Sequence, residues 1–195
     1  MPKAQQNPQD DTPIILTDLL ALTQSALAPV QTILETATLH LRSLVSKGGR
    51  VSGQLVEEHQ TATHGLAWLA TYSQSLEQMQ KWAEGLIKVD KFGEIEQLIL
   101  QITFGEYLWQ IYGGIQMNQG EILRLQDLGL AQNDMRGMIE PAVQTLTQNG
   151  NTQAARIRLV ALMQEQSANV TVGATGLDDE LEMIREQFRR YAVEK

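Results

Sequence analysis

A long seam between about Ser52 and Lys88 limits the possible fold more than any other feature of the chain. Along it, mostly apolar residues recur at alternating steps of four and three positions. Its members are Leu55, His59, Ala62, Leu66, Leu69, Ser73, Leu76, Met79, Ala83 and Leu86. This spacing predicts one long helix with a face that packs against near-antiparallel neighbours. The fold class that follows is all-α, an antiparallel bundle of long helices.

A second helix is predicted to follow a short turn at residues 89–91 and to begin near Phe92. Short turns join antiparallel neighbours. The predicted buried face carries Ile95, Leu98, Ile102, Trp109 and Tyr112. Gly105 interrupts that face at a cost of about 1 kcal/mol relative to alanine, which indicates close packing against another helix. Gly113 and Gly114 are predicted to end the helix.

The first helix is predicted to begin after Thr17 and to stop at residues 47–49, where a lysine precedes two glycines. Pro29 either kinks this helix or opens a second helix at its first turn. The continuation carries an apolar stripe of Ile33, Leu34, Ala37, Leu41, Leu44 and Val45.

The pattern weakens after Gly114. Residues 121–130 are predicted as a helix or an irregular segment, and residues 135–147 as a short helix disturbed by Pro141. A turn at residues 149–151 precedes a helix over 152–166. One face of that helix carries Ile157, Val160 and Met163.

Four segments are predicted along the chain: a disordered tail at 1–13, a bundle at 14–166, a linker at 167–176 and a last helix at 177–195. Asp178 or Asp179 caps the last helix, and Leu181, Ile184, Phe188 and Tyr191 form its apolar side. This side either docks on the bundle or belongs to a following domain. If exposed, it favours self-association.

The composition excludes several classes of function. The chain has 195 residues, a net charge of −8 and no cysteine. No basic patch suits nucleic acid, and the acidic balance disfavours an anionic membrane surface. The first residues lack the apolar core of a signal peptide, and no apolar run reaches about 18 residues. A cytoplasmic location is the default prediction.

The residues offer little catalytic chemistry. His59 and His64 are five positions apart and do not share a helix face, so no metal site is predicted. Glu106 borders the predicted buried face. It is a half-buried base, a rim residue, or a partner for an arginine or a tyrosine. A small-ligand site near the three tryptophans has no polar cluster to support it.

Two segments, HGLAWLATYSQSLEQMQKWAEGL (64–86) and QLILQITFGEYLWQIYGGIQMNQGEI (97–122), resemble the helical region before the catalytic core in a subgroup of bacterial acyl-CoA dehydrogenases. The stretch LDDELEMIREQFRRYAVEK (177–195) is similar to the first helix of that core. The resemblance implies an N-terminal module of an FAD-dependent flavoprotein that lacks most of its catalytic core, including the base that abstracts the substrate α-proton.

The segment QIYGGIQMNQGEI also resembles a Gln-x-x-Gly-Gly turn that meets the flavin pyrophosphate in these dehydrogenases. The resemblance marks Gln110, Gly113 and Gly114 as cofactor-binding residues. It departs from the family at Gln116, where another glycine is usual. Glycines let backbone N–H groups come close to phosphate.

The sequence therefore predicts one of two functions. The first is a non-catalytic helical module of an acyl-CoA dehydrogenase-like protein, inactive alone, which binds no FAD by itself and contacts the remainder of the dehydrogenase. The alternative is a free-standing interaction or dimerisation protein that docks on a partner chain. A homo-oligomer is predicted in both.

Overall fold

The computed structural model describes residues 13–166 and 173–193. Its α-helices are α1 (Leu19–Leu44), α2 (Gly53–Glu58), α3 (Gln60–Lys88), α4 (Glu94–Gly113), α5 (Pro141–Asn149), α6 (Gln153–Glu165) and α7 (Asp179–Val193). Its strands are β1 (Ser46–Lys47), β2 (Arg50–Val51), β3 (Ile115–Asn118) and β4 (Glu121–Leu123). They form two antiparallel hairpins, β1–β2 and β3–β4. The predicted all-α bundle is confirmed, and the two hairpins are additions to it.

One uninterrupted helix runs through Pro29, so no second helix opens there. α1 begins at Leu19, because Asp18 has a left-handed φ of 53°, rather than directly after Thr17. It ends at Leu44, which is earlier than the predicted stop at 47–49. The predicted stop at 47–49 contains an unforeseen hairpin turn, in which Gly48 and Gly49 have φ values of 60° and 77°. Two positive-φ residues suit the tight turn between two strands.

The predicted helix over 52–88 is broken, which corrects the sequence interpretation. α2 ends at Glu58, and α3 begins at Gln60 after the non-helical His59. None of the residues in α2 is buried, so core packing does not hold it in line with α3. The buried part of the predicted seam is Leu69, Ser73, Leu76, Ala83 and Leu86.

α4 lies at the centre of the bundle. It packs against α3 on one side and against α5 and α6 on the other, so its burial does not follow one stripe. The prediction that Trp109 and Tyr112 are buried is wrong, since they are 57% and 51% exposed. The buried apolar residues of α4 are Ile95, Leu98, Leu100, Phe104, Leu108 and Ile111. A helix buried on several sides loses the single apolar stripe of a surface helix.

Gly105 packs closely, as predicted. A β-carbon there would lie 2.7 Å from the Asn151 backbone nitrogen and 2.9 Å from the Leu146 carbonyl oxygen. The backbone of α4 therefore meets the end of α5 directly. Around this contact, the main core joins α1, α3, α4 and α5.

The segment between α4 and α6 differs most from prediction. Of the two alternatives for residues 121–130, the helix is wrong, since they form β4 and a 3-10 turn at Leu125–Leu128. Pro141 does not disturb a helix but begins α5, where its missing N–H costs no hydrogen bond. Thr152 caps α6, because its hydroxyl oxygen accepts a bond from the Ala155 N–H at 3.1 Å. The face of α6 that carries Ile157, Val160 and Met163 is exposed.

Three predictions lie wholly or partly outside the described residues: the tail, the first part of the linker and the last two residues of the C-terminal helix. Within the described ranges, no helix is both long and apolar enough to cross a membrane. Asp178 caps α7, where its Oδ1 accepts a bond from the Leu181 N–H at 2.9 Å.

Candidate functional site

The predicted glycine turn lies at the C-terminal end of α4. Gly113 is the last helical residue, and a β-carbon there would meet no atom within 4 Å. Gly114 has a φ of 133°, and its N–H donates to the Gln110 carbonyl at 2.8 Å. A β-carbon on Gly114 would lie 2.5 Å from Ile122 Cγ2 in β4. Gly114 is thus needed for the turn into the β3–β4 hairpin, whereas Gly113 is sterically open.

The side-chain amide of Gln110 is bonded within the chain at both ends. Its Oε1 accepts the Tyr72 hydroxyl at 2.7 Å, and its Nε2 donates to Glu106 Oε1 at 2.7 Å. Gln110 therefore links α3 to the preceding turn of α4. One Nε2 hydrogen is left for any other acceptor.

Glu106 is held by polar neighbours on both oxygens. Its Oε2 accepts a short bond from Asn151 Nδ2, and an Arg156 guanidinium nitrogen lies 3.7 Å away. Arg156 Nε also donates to Asn151 Oδ1 at 2.6 Å. Of the roles open from the sequence, the structure supports the partner of an arginine, because the partly exposed carboxylate lies within ion-pair distance of Arg156.

Aromatic rings cover the α3 side of this network. Tyr72 and Tyr107 are stacked with ring centroids 4.5 Å apart, and Trp68 meets Tyr72 edge-on at 6.3 Å. Burial, then the neighbouring Tyr107 and Glu106, raise the pKa of the Tyr72 hydroxyl above its usual value. This hydroxyl therefore stays protonated and donates to Gln110 at all ordinary pH values.

The two histidines do not come together as a site. His64 Nε2 accepts the indole N–H of Trp68 at 3.1 Å, while His59 lies between α2 and α3. In the described part of the chain, no group of three or more metal-ligating side chains is close enough to hold an ion.

The apolar side of α7 is exposed. Leu181, Ile184, Phe188 and Tyr191 are 49%, 40%, 73% and 61% exposed. The more covered side carries the charged residues Glu182, Arg185, Glu186 and Arg189, linked by ion pairs. Arg189 holds the pKa of the Glu186 carboxyl below its usual value. An apolar side of this kind marks an interaction surface.

Comparison with known proteins supplies the relationship. No protein-family model matches the chain. Over 181 residues, 93% of its length, the chain is 52% identical to a (2S)-methylsuccinyl-CoA dehydrogenase from Cereibacter sphaeroides. The chain is homologous to part of an acyl-CoA dehydrogenase. The resemblance predicted from the sequence is thereby confirmed. The chain spans about a third, 32%, of the length of that dehydrogenase.

The acyl-CoA dehydrogenase relationship implies FAD in the complete enzyme. The residues of the glycine turn can therefore be compared with what the diphosphate of FAD requires. The C-terminal end of a helix carries partial negative charge and unpaired carbonyl groups, which disfavour a pyrophosphate. The Gly114 N–H is already bonded, the Gln110 amide has only one Nε2 hydrogen left, and the Glu106 carboxylate adds further negative charge. Gln110, Gly113 and Gly114 alone therefore do not fit a flavin diphosphate.

The sequence does not predict the contacts that Glu106 makes with Asn151 and Arg156. Asn151 and Arg156 lie 45 and 50 positions from Glu106, and Tyr72 lies on another helix. The sequence predicts a turn at residues 149–151, but it does not indicate that Asn151 in this turn bonds to Glu106. The one available signal was Gly105, since a glycine in a buried helix face indicates that another backbone comes close to it.

Proposed function

We propose that the chain is a non-catalytic helical module of an acyl-CoA dehydrogenase-like protein, whose complete form oxidises an acyl-CoA thioester. The observation that carries this proposal is the 52% identity, which extends over 93% of the chain but only 32% of the relative. A similarity this continuous favours one module shared by both proteins. The acyl group named in the relative belongs to that protein, and the complete form of this chain would act on a related thioester.

The occupied polar groups support the non-catalytic part of the proposal. Both oxygens of Glu106 accept bonds from Gln110 and Asn151, so this carboxylate serves to join α4 to the turn before α6. Gln110 likewise joins α4 to α3. The network connects helices, and we assign it no step of the reaction.

The remainder of the dehydrogenase is the proposed partner of the α7 apolar side. About two thirds of the relative's length lies outside the match, so in a protein of that size a larger body adjoins this module. Fully burying an apolar side chain of this size contributes about 1.5–3 kcal/mol. Covering the four side chains of α7 would therefore stabilise the contact by several kcal/mol.

The alternative is a free-standing interaction protein. The exposed apolar residues of α6, Ile157, Val160 and Met163, favour it, because they offer a second surface in addition to α7. A partner chain or a second copy would then cover both surfaces.

The reading frame beyond codon 195 separates the two proposals. The module proposal expects an open frame that encodes the rest of an acyl-CoA dehydrogenase. An immediate stop codon would overturn it in favour of the free-standing protein. An immunoblot with an antibody to the bundle checks the protein itself. Because the chain spans 32% of the relative's length, the module proposal expects a product of about three times the mass of this chain.

A further inference from the structure

We propose that residues 173–176, here called the joint, hold α7 at a fixed angle to the bundle, with Glu96 and Trp82 as the positioning residues. The sequence predicts a flexible linker at 167–176, and its described end is instead bonded on both sides. This inference does not rest on the proposed function, because it concerns only how α7 is attached.

Ala174 is bonded to the bundle through its backbone N–H and its carbonyl. The N–H donates to Glu96 Oε1 at 2.7 Å, and the carbonyl accepts the indole N–H of Trp82 at 3.1 Å. Glu96 is only 7% exposed, and its Oε2 also accepts the Gly93 N–H at 3.0 Å. Two helices therefore bond to the backbone of Ala174. Trp82 of α3 bonds its carbonyl, and Glu96 of α4 bonds its N–H.

Two glycines let the joint lie against these side chains. Gly173 and Gly176 have φ values of 77° and 75°, a conformation that other residues rarely adopt. A β-carbon on Gly176 would lie 2.9 Å from Trp82 Cδ1, and one on Gly173 would lie 3.1 Å from Glu96 Oε1. Each glycine thus sits directly on one of the two positioning residues. A flexible linker needs no such match between glycine positions and neighbouring side chains.

The joint is also bonded to α7. The Thr175 hydroxyl donates to Glu182 Oε2 at 3.0 Å, and Glu182 in turn pairs with Arg185 one turn later. Ala174 therefore connects the joint to the bundle, while the next residue connects it to the helix. This chain of bonds fixes the rotation of α7 as well as its starting point.

The fixed rotation explains why the exposed side of α7 is its apolar side. With Glu182 bonded back to Thr175, the stripe of Glu182, Arg185, Glu186 and Arg189 is the more covered one. The Arg185 side chain is 29% exposed, and its Nε is buried with no partner in the described part of the chain. Phe188, on the other side, is 73% exposed. The joint thus presents the apolar side outward.

Distances between two spin labels test the joint in the 195-residue chain, which has no native cysteine. Gln78→Cys on α3 and Gln187→Cys on α7 place labels at two exposed positions. The labelled chain is diluted with unlabelled chain, so that distances between copies do not contribute, and the expected result is one narrow distance distribution. Trp82→Phe removes the bond to Ala174 and keeps a ring, while Thr175→Val removes the bond to Glu182 and keeps the shape. Each should broaden the distribution by at least about twofold, as for a released linker.

Trp68→Phe is the matched control, because it removes an indole bond from the same helix at a site remote from the joint. It should leave the distribution narrow. The thermal midpoint measured by circular dichroism should fall no further in the joint variants than in this control, which separates positioning from general loss of stability. A distribution that is already broad in the parent chain, or that stays narrow in both joint variants, would overturn the proposal and would leave the family relationship untouched.

Discussion

At the scale of single residues, Gln101 is a fully buried polar group of the core that makes three hydrogen bonds. Its Oε1 accepts the Leu16 N–H at 2.7 Å, and its Nε2 donates to the carbonyls of Ile14 and Gly150 at 2.9 and 3.1 Å. One side chain therefore fixes the start of the described chain and the turn before α6. Sequence periodicity does not reveal this role, because a polar residue in an apolar helix looks like a surface position.

Gln101→Leu should lower the free energy of unfolding by about 2–4 kcal/mol, because it leaves buried backbone groups without partners at about 1–3 kcal/mol each. Urea unfolding measures the difference. Gln78→Leu, at an exposed position of α3, should change stability by no more than about 0.5 kcal/mol. Equal effects of the two substitutions would show that the bonds of Gln101 contribute little.

Two helical glycines form a matched pair. Gly105→Ala places a methyl group 2.7 Å from the Asn151 backbone nitrogen, and backbone cannot move aside as a side chain can. It should destabilise by about 1–3 kcal/mol through overpacking. Gly85→Ala, in α3 with no atom within 4 Å of the new methyl, should stabilise by about 0.5–1 kcal/mol. Thermal unfolding of the two variants should therefore show opposite shifts, and shifts of the same sign would contradict the packing at Gly105.

The exposed ion pair between Glu94 and Arg158 gives a prediction about pH. Arg158 lies 2.6 Å from Glu94 and lowers the pKa of its carboxyl. Because the pKa of this carboxyl is lower in the folded state, the ion pair stabilises the fold at pH values above the unfolded-state pKa. This stabilisation is lost as the pH falls through the folded-state pKa. Glu94→Gln should therefore lower the midpoint slightly at pH 7 and have no effect in strong acid. Thermal midpoints of the parent and the variant, measured at both pH values, test this, and an equal loss at both would contradict it.

At the scale of elements, helices with a strong apolar period were predictable. The buried seam of α3, the glycine stop of α4 and the cap of α7 follow from local rules. The hairpin at 115–123 was not predicted, because its strands are three to four residues long and alternate only briefly. The exposure of Trp109 was not predicted because it depends on where α5 and α6 pack, which no local pattern contains.

Deletion of residues 177–195 should leave the thermal midpoint of the bundle nearly unchanged, because the apolar side of α7 is exposed rather than packed in the core. In the parent chain this side should pair with a second copy and form an oligomer, which the deletion reduces to a monomer. Light scattering and thermal unfolding measure the two effects. A loss of about ten degrees in a chain that was already monomeric would show that α7 is an integral part of the bundle.

At the scale of the whole molecule, the sequence led to the acyl-CoA dehydrogenase relationship through two long segments and one helix, and the comparison confirms it. The candidate site was only partly predictable. The sequence indicated Gln110 and the glycines, but it could not show that Tyr72 and Glu106 occupy the Gln110 amide. Those contacts join residues on different helices, or successive turns of one helix, and depend on side-chain rotation. This network supports the proposal that the chain does not bind flavin by itself.

Flavin binding by the purified 195-residue chain tests that proposal most directly. After incubation with FAD and gel filtration, the visible absorption spectrum should show a colourless protein, and titration should show no binding at micromolar concentrations of FAD. A yellow protein with stoichiometric FAD would contradict the account. In that case, loss of the colour in Gly113→Ala, a substitution that meets no atom within 4 Å in the fold, would place the cofactor at the glycine turn.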